Sequence, residues 1–307
     1  MSCIVGTFGP GSTEGEVHMS SDNIKTFRCM CCGSRAAAPW LLDCSDYFHG
    51  TPTRVSYFAC IDCGLVQQSP LPDNTSIFYE NYLVHADKSA FYGSIRRLIM
   101  KPAYYDVRKT SKSATLIDYG CGDGAYLRWI AANHLNRVGF EPDIAHAHRL
   151  SQLLGIPMYS DSRKLVRDFF STVDVVTLHM VLEHVTNIAE VFQTAHALLR
   201  VGGICYITVP HIRSWEARFF RKRWHGLDPP RHISFPEPAV IERFAVAAGF
   251  QLQRHHAISF PPGIAGSIST AMLGRFSQRW FNVAIPLAVA LSRVFPTGFR
   301  AYWLVKK

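Results

Sequence analysis

From Ala114 onward the sequence alternates short apolar runs with helical stretches, and no other feature constrains the fold as much. ATLIDYG, NRVGFEP, IPMYS, VDVVTLHM and GGICYITVP read as strands, and GAYLRWIAANH, IAHAHRLSQLLG, SRKLVRDFF and IAEVFQTAHALLR read as the helices between them. Strands spaced this way are joined by right-handed crossovers, which give a parallel sheet covered on both faces. PEPAVIERFAVAAGF reads as a further helix, with proline near its start and Gly249 as its stop. FQLQRHHAISF and RAYWLVKK read as two more strands. The fold class expected is α/β.

The rest of the chain sorts by composition. With 48% hydrophobic and 18% charged residues among 307, it can bury a real core, and wholesale disorder is excluded. No apolar run reaches the ~20 residues of a membrane span. The nearest, Trp280 to Leu291, carries Asn282 and Pro286. The N-terminus has neither the basic nor the apolar region of a secretory signal, so a cytoplasmic location is expected. Residues 1–24, Gly/Ser-rich and aperiodic, read as a flexible tail, 25–70 as a cysteine module and 71–110 as a helical linker. The α/β domain is expected over 111–307.

Nine cysteines are present, and four form the pairs Cys29-x-x-Cys32-Gly33 and Cys60-x-x-Cys63-Gly64. Two thiolates so spaced grip one face of a tetrahedral ion, and the glycine after each pair lets the chain turn sharply. Four soft ligands suit zinc. Cys31 and Cys44 stand as possible replacements for one ligand. Redox chemistry is disfavoured because neither pair opens a helix. A metal here stands in for the core that so short a module lacks.

The second motif is Asp118-Tyr-Gly120-Cys-Gly122-Asp-Gly124, between a strand and a helix. Glycines there let backbone approach a ligand closely, and Glu141, ending the next strand, can accept both hydroxyls of a ribose. NAD is the chemical rival. Asp118 argues against it, since an acid beside the loop repels a pyrophosphate but pairs with the amino group of a methionine-type cofactor.

The run LIDYGCGDGAYL, then GFEPD, DVVTLHMVLEHV and LLRVGGICYITVP, resembles the class I S-adenosylmethionine (SAM)-dependent methyltransferases over residues 112–256 and the last strand. The resemblance implies a Rossmann-like seven-stranded sheet with an antiparallel last strand. It places Gly120, Gly122 and Gly124 along the methionine moiety, Asp118 near its amino acid end, Glu141 on the ribose and Asp161 near the adenine amine. CxxCG ahead of GLVQQSPLP resembles the zinc-binding segment of bacterial relatives, sugar C-methyltransferases among them. Those carry a further large C-terminal domain that this sequence does not contain. Against the family's sheet, residues 210–235 and 260–298 are insertions at carboxyl strand ends, where ligands bind in open α/β sheets. They are expected to form a lid.

Charge supports that placement. Residues 210–307 hold 14 Lys/Arg against 4 Asp/Glu, so the chain's formal excess of +9 lies in its last third. A basic lid implies an anionic acceptor: a small molecule, a sugar or a glycan or lipid-linked species. The segment 280–295, flanked by arginines, suits peripheral contact with the inner membrane face. The amine-methylating Asn-Pro-Pro-Tyr signature is absent after strand four, which favours oxygen as acceptor. His232, in a segment resembling the family's PxH element, and His179, at the end of strand four, are the expected bases, ahead of His184 and His211. Two other functions fit the same sequence: an RNA methyltransferase holding phosphate with the zinc module and basic insertions, and a non-catalytic SAM-binding partner protein.

Overall fold

A computed structural model describes residues 26–73, 75, 113–130, 135–295 and 298–307. The expected tail, 1–24, and nearly all of the expected linker, 71–110, lie outside the described residues.

The cysteine segment forms three antiparallel strands, β1 (Ala37–Ser45), β2 (Arg54–Cys60) and β3 (Val66–Gln68). The main sheet then begins with β4 (Thr115–Tyr119), β5 (Asn136–Phe140), β6 (Met158–Tyr159), β7 (Val173–His179) and β8 (Leu199–Pro210), all parallel. A two-residue strand, β9 (Ser234–Phe235), precedes β10 (Phe250–Ile258) and β11 (Phe299–Lys306). The seven strands stand in the order β10-β11-β8-β7-β4-β5-β6. β11 is antiparallel to both neighbours, so the last strand is inserted beside β8 as the sequence implies.

Helices α1 (Ala125–Trp129), α2 (Ile144–Leu154), α3 (Ser162–Phe169) and α4 (Ile188–Leu198) make the crossovers. α4 shows why they form. Asn187 caps it by accepting from the Glu190 amide, and Ile188, Val191, Phe192, Ala195 and Leu198 recur every three or four residues on its buried face. Phe192 stacks on Phe244 of α6 (Pro238–Ala247), with α5 (Trp215–Phe220) lying earlier in the insertion after β8. Beyond β10, α7 (Pro261–Leu273) and α8 (Gln278–Val294) pack as a hairpin. Phe299 pairs with both Pro210 and Ile258, so both insertions leave the sheet at the carboxyl ends of its parallel strands.

Among the described residues, several contacts join the cysteine module to the rest of the protein. First, β9 pairs with β3, giving a second sheet ordered β1-β2-β3-β9. Second, the two buried glutamines of β3 face opposite sides. Gln67 accepts from the Met30 amide and donates to the Arg28 carbonyl, whereas Gln68 donates to the carbonyls of Pro230 and His232. Third, Phe27, Cys29, Phe58, Cys60 and Leu65 share one hydrophobic core with α4 and α6.

Arg231 completes the joint. Its side chain is 1% exposed and bridges Asp46 of the module, at 3.0 Å, and Asp228 of the insertion, at 2.6 and 3.0 Å. Burial alone would raise the Asp228 pKa, but the Arg231 hydrogen bonds and charge hold it well below the usual carboxylate range. Lys306 is also largely buried, with Nζ donating to the carbonyls of His196 and Leu199. Part of the basic charge of the last third is therefore interior and structural.

Arg231→Ala strands two buried carboxylates. It should destabilise the protein by about 3–5 kcal/mol, measured by denaturant titration, and should loosen residues 228–235 and the cysteine module together in hydrogen exchange.

Candidate active site

The glycine loop crosses the carboxyl ends of β4 and β5. The amides of Gly120 and Cys121 both donate to the Phe140 carbonyl, at 2.8 and 3.0 Å. Gly120, Gly122 and Gly124 all have positive φ, at 79°, 53° and 67°, a region costly for other residues. Their surroundings differ. A Cβ on Gly120 would lie 2.8 Å from Val181 Cγ2, one on Gly124 2.9 Å from Leu154 Cδ1, and one on Gly122 would meet nothing within 4 Å. Gly122 thus faces open space, Gly120 is pressed against the turn after β7, and Gly124 serves the packing of α2.

Gly122 is held on both sides. Its amide donates to Glu141 Oε2 at 3.1 Å and its carbonyl meets His146 Nε2 at 2.7 Å. His146, on the first turn of α2, is a positioning residue absent from the sequence reading. The motif IAHAHRL gave no sign that this ring turns back to the loop. Glu141 is 8% exposed, and burial pushes its pKa up to about 7 against the opposing Asp143 and Gly122 amides.

Asp118 is buried beneath the loop, where Thr177 Oγ1 donates to its Oδ1 at 2.7 Å. Burial raises its pKa to about 7, with the nearby Asp123 and Glu141 charges adding to the effect and Thr177 opposing it. Asp161 caps α3, with Oδ1 accepting from the amides of Arg163 and Lys164 at 2.8 and 3.3 Å. One of its oxygens is therefore committed to the helix.

After β7 the backbone turns sharply. Met180 takes φ 56°, rare for a side chain of its size, and Leu182–His184 form a 3-10 turn. His179 packs edge-on against Tyr126 and Tyr206, and burial pulls its pKa down to about 3. His232 is also buried, with its ring 4.6 Å from that of His184. The two expected bases thus sit in different surroundings: His179 Nδ1 lies 3.4 Å from Thr208 Oγ1, whereas His232 is grouped with the titratable side chains of His184 and Asp228. His211 pairs with Glu237 at 2.8 Å.

The four expected zinc ligands come together. The Sγ atoms of Cys29, Cys32, Cys60 and Cys63 lie within 4.8 Å of one another, with Cys29–Cys63 and Cys32–Cys60 at 3.5 Å. Zn–S bonds of about 2.3 Å give tetrahedral edges of about 3.8 Å, so the donor set fits a zinc ion. The two knuckles repeat each other, Gly33 donating to the Cys29 carbonyl and Gly64 to the Cys60 carbonyl, each at 2.9 Å and φ near 75°. Cys31 and Cys44 are not part of this group.

In sequence, a family profile described as a methyltransferase domain matches residues 92–255, just over half of the chain. The chain belongs to the methyltransferase-domain family. It has the class I sheet and is a SAM-dependent methyltransferase. A search of curated proteins finds no match. Solved structures similar to it include a geranyl diphosphate methyltransferase in complex with SAM (14% identity, 70% of this chain and 85% of the other, TM-score 0.47). A SAM-dependent methyltransferase from Archaeoglobus fulgidus is 14% identical over 76% of this chain and 100% of its own, with TM-score 0.45. A phosphoethanolamine N-methyltransferase from Haemonchus contortus is 14% identical over 94% and 72%, with TM-score 0.48.

The residues present fit SAM: an open cradle over Gly122, a carboxylate at Glu141 for the ribose diol, and a loop pinned from both sides. Because the Glu141 carboxyl is half-protonated near pH 7, SAM binding that needs its carboxylate should weaken as pH falls below 7, towards about tenfold per unit. Calorimetry should show that slope in the wild type and a weak, flatter affinity in Glu141→Gln. Asp118 and Glu141 bind protons more tightly folded than unfolded, so they cost stability as pH rises from about 4 to 7. Asp118→Asn should accordingly raise the melting temperature of the SAM-free protein more at pH 8 than at pH 5.

Proposed function

We propose that the protein transfers the SAM methyl group to an oxygen of a small, negatively charged acceptor: a sugar, a glycan end or a lipid-linked intermediate. The observation that carries this reading is that both basic insertions leave the sheet at the end occupied by the glycine loop. Arg213, Arg218, Arg221 and Arg223 are exposed on the first insertion and Arg275, Arg279 and Arg293 on the second. A focused positive field there raises the local concentration of an anionic acceptor.

SAM supplies an electrophilic methyl group. Glu141 orients its ribose, the Gly120–Gly124 backbone holds the methionine portion, and the insertions exclude water. Much of the rate then comes from alignment of the acceptor oxygen behind the methyl group. Proton removal is assigned to the group around His232 and not to His179, which aromatic rings enclose. Cys29, Cys32, Cys60 and Cys63 hold one structural zinc in this reading.

α8 supports a lipid-linked acceptor. Its outer face exposes Trp280, Val283, Leu287 and Val294 beside Arg279 and Arg293, a composition suited to an anionic lipid surface. Among the described residues no helix is long and apolar enough to cross a membrane.

Untargeted metabolite profiling of cells with and without the gene should reveal a species differing by one methyl group. Arg221→Glu with Arg223→Glu should raise the KM for that acceptor at least tenfold and leave SAM affinity unchanged; equal loss of both would remove the lid from this reading. Purified protein should hold about one zinc, and Cys60→Ser should lose it. A methylated RNA in place of a small molecule would redirect the assignment.

A further inference from the structure

A second group of metal-binding side chains lies apart from the cysteines. Glu183, His184 and His232 each offer a ligand atom, and those atoms lie within 4.8 Å of one another. Glu183 is the middle residue of the 3-10 turn after β7. Its side chain is fully buried, and neither carboxylate oxygen has a hydrogen-bond partner among the described residues. A buried carboxylate without partners is costly and calls for a counter-charge.

The two histidines are oriented alike. His184 Nδ1 lies 3.0 Å from the Arg231 carbonyl, and His232 Nδ1 lies 2.8 Å from the Gly226 carbonyl. A carbonyl only accepts, so each Nδ1 carries the proton and each Nε2 is left with its lone pair. Metal-ligating histidines are held in this manner, the far nitrogen donating to a carbonyl that fixes tautomer and ring angle. Two unprotonated imidazole nitrogens and a carboxyl group therefore converge.

The surrounding charge agrees. Arg231 faces Asp46 and Asp228, and Asp228 Oδ2 lies 3.9 Å from His232 Nε2. With Glu183 ionised, one guanidinium stands against three carboxylates. Among the described residues these four groups then sum to two negative charges, which a divalent cation neutralises.

We propose that Glu183, His184 and His232 bind a divalent first-row transition ion such as Zn²⁺, Fe²⁺ or Mn²⁺. Two imidazoles and one carboxylate suit this class and leave coordination positions open. The site adjoins the cofactor loop, because Val181, two residues before Glu183, packs on Gly120. An ion there would take the acceptor's oxygen as a ligand and lower the pKa of its hydroxyl. The hydroxyl would then lose its proton to solvent and its oxygen would take the methyl group from the SAM sulfur, leaving S-adenosylhomocysteine; the group around His232 would promote proton removal through the ion it holds, with His232 as a ligand. This use of the ion rests on the methyl-transfer reading; binding of the ion does not.

The test uses full-length protein with its cysteine site loaded with zinc, titrated with Mn²⁺ and read by the electron paramagnetic resonance of free Mn²⁺. Manganese prefers oxygen and nitrogen to thiolate, so it leaves the cysteines to zinc. About one Mn²⁺ should bind. Glu183→Gln and His232→Asn should each weaken it at least tenfold while the cysteine-bound zinc is retained, which checks folding. Absence of Mn²⁺ binding together with absence of any second Zn²⁺ or Fe²⁺ would overturn the proposal, as would unchanged affinity in Glu183→Gln. SAM calorimetry on the same samples separates the two readings: intact SAM binding without the second ion refutes only the metal site, and loss of SAM binding in the wild type refutes methyl transfer.

Discussion

A single buried guanidinium joins three separate segments of this methyltransferase. Arg231 spans Asp46 and Asp228, and the carbonyl of the same residue meets His184. Through these contacts the cysteine module, the insertion after β8 and the turn after β7 share one electrostatic centre. Removing a partner from such a network leaves an uncompensated charge in a low-dielectric interior, so the three segments keep or lose their positions together. A zinc in the cysteine site would in this way bear on the turn after β7 without touching it.

The carboxyls near the cleft show a related tension. Asp118, Glu141 and Glu183 are all buried, and burial raises the pKa of each. A chain selected for stability alone would fill these places with apolar side chains. Retaining them makes sense where cationic or hydrogen-bonding partners arrive from outside, and sites of function are where such departures gather.

The strands and helices between Ala114 and Pro210, and the helix that stops at Gly249, were readable because their apolar runs are long, differ in period and are separated by glycines and caps; Trp215–Phe220, inside an insertion, was not read as a helix. The inserted last strand followed from the family's sheet. The four cysteines and the glycine loop were readable because local spacing alone fixes their geometry. What escaped the sequence depends on distant partners. Ser234 and Phe235 have no periodicity, and only the edge of β3 makes them a strand. Arg231 looks like one more surface cation in a basic segment until two carboxylates from separate regions enclose it. The glycines look equivalent in the motif, yet Leu150 and Leu154 make Gly124 a packing residue. Asp161 has the spacing of an adenine contact and also sits where a helix needs its first cap.

The pairing of β3 with β9 has a bearing on how the chain is made. The knuckle residues of the module emerge from a ribosome early and can close on an ion using neighbours alone. Its sheet, however, has an open edge at Val66–Gln68 until Ser234–Phe235 have been synthesised about 170 residues later. Contacts so far apart in sequence form late, and an uncovered strand edge is a template for pairing with other chains. Nascent chains of this enzyme therefore pass through a long interval with an adhesive edge, and faster synthesis of the intervening residues shortens it.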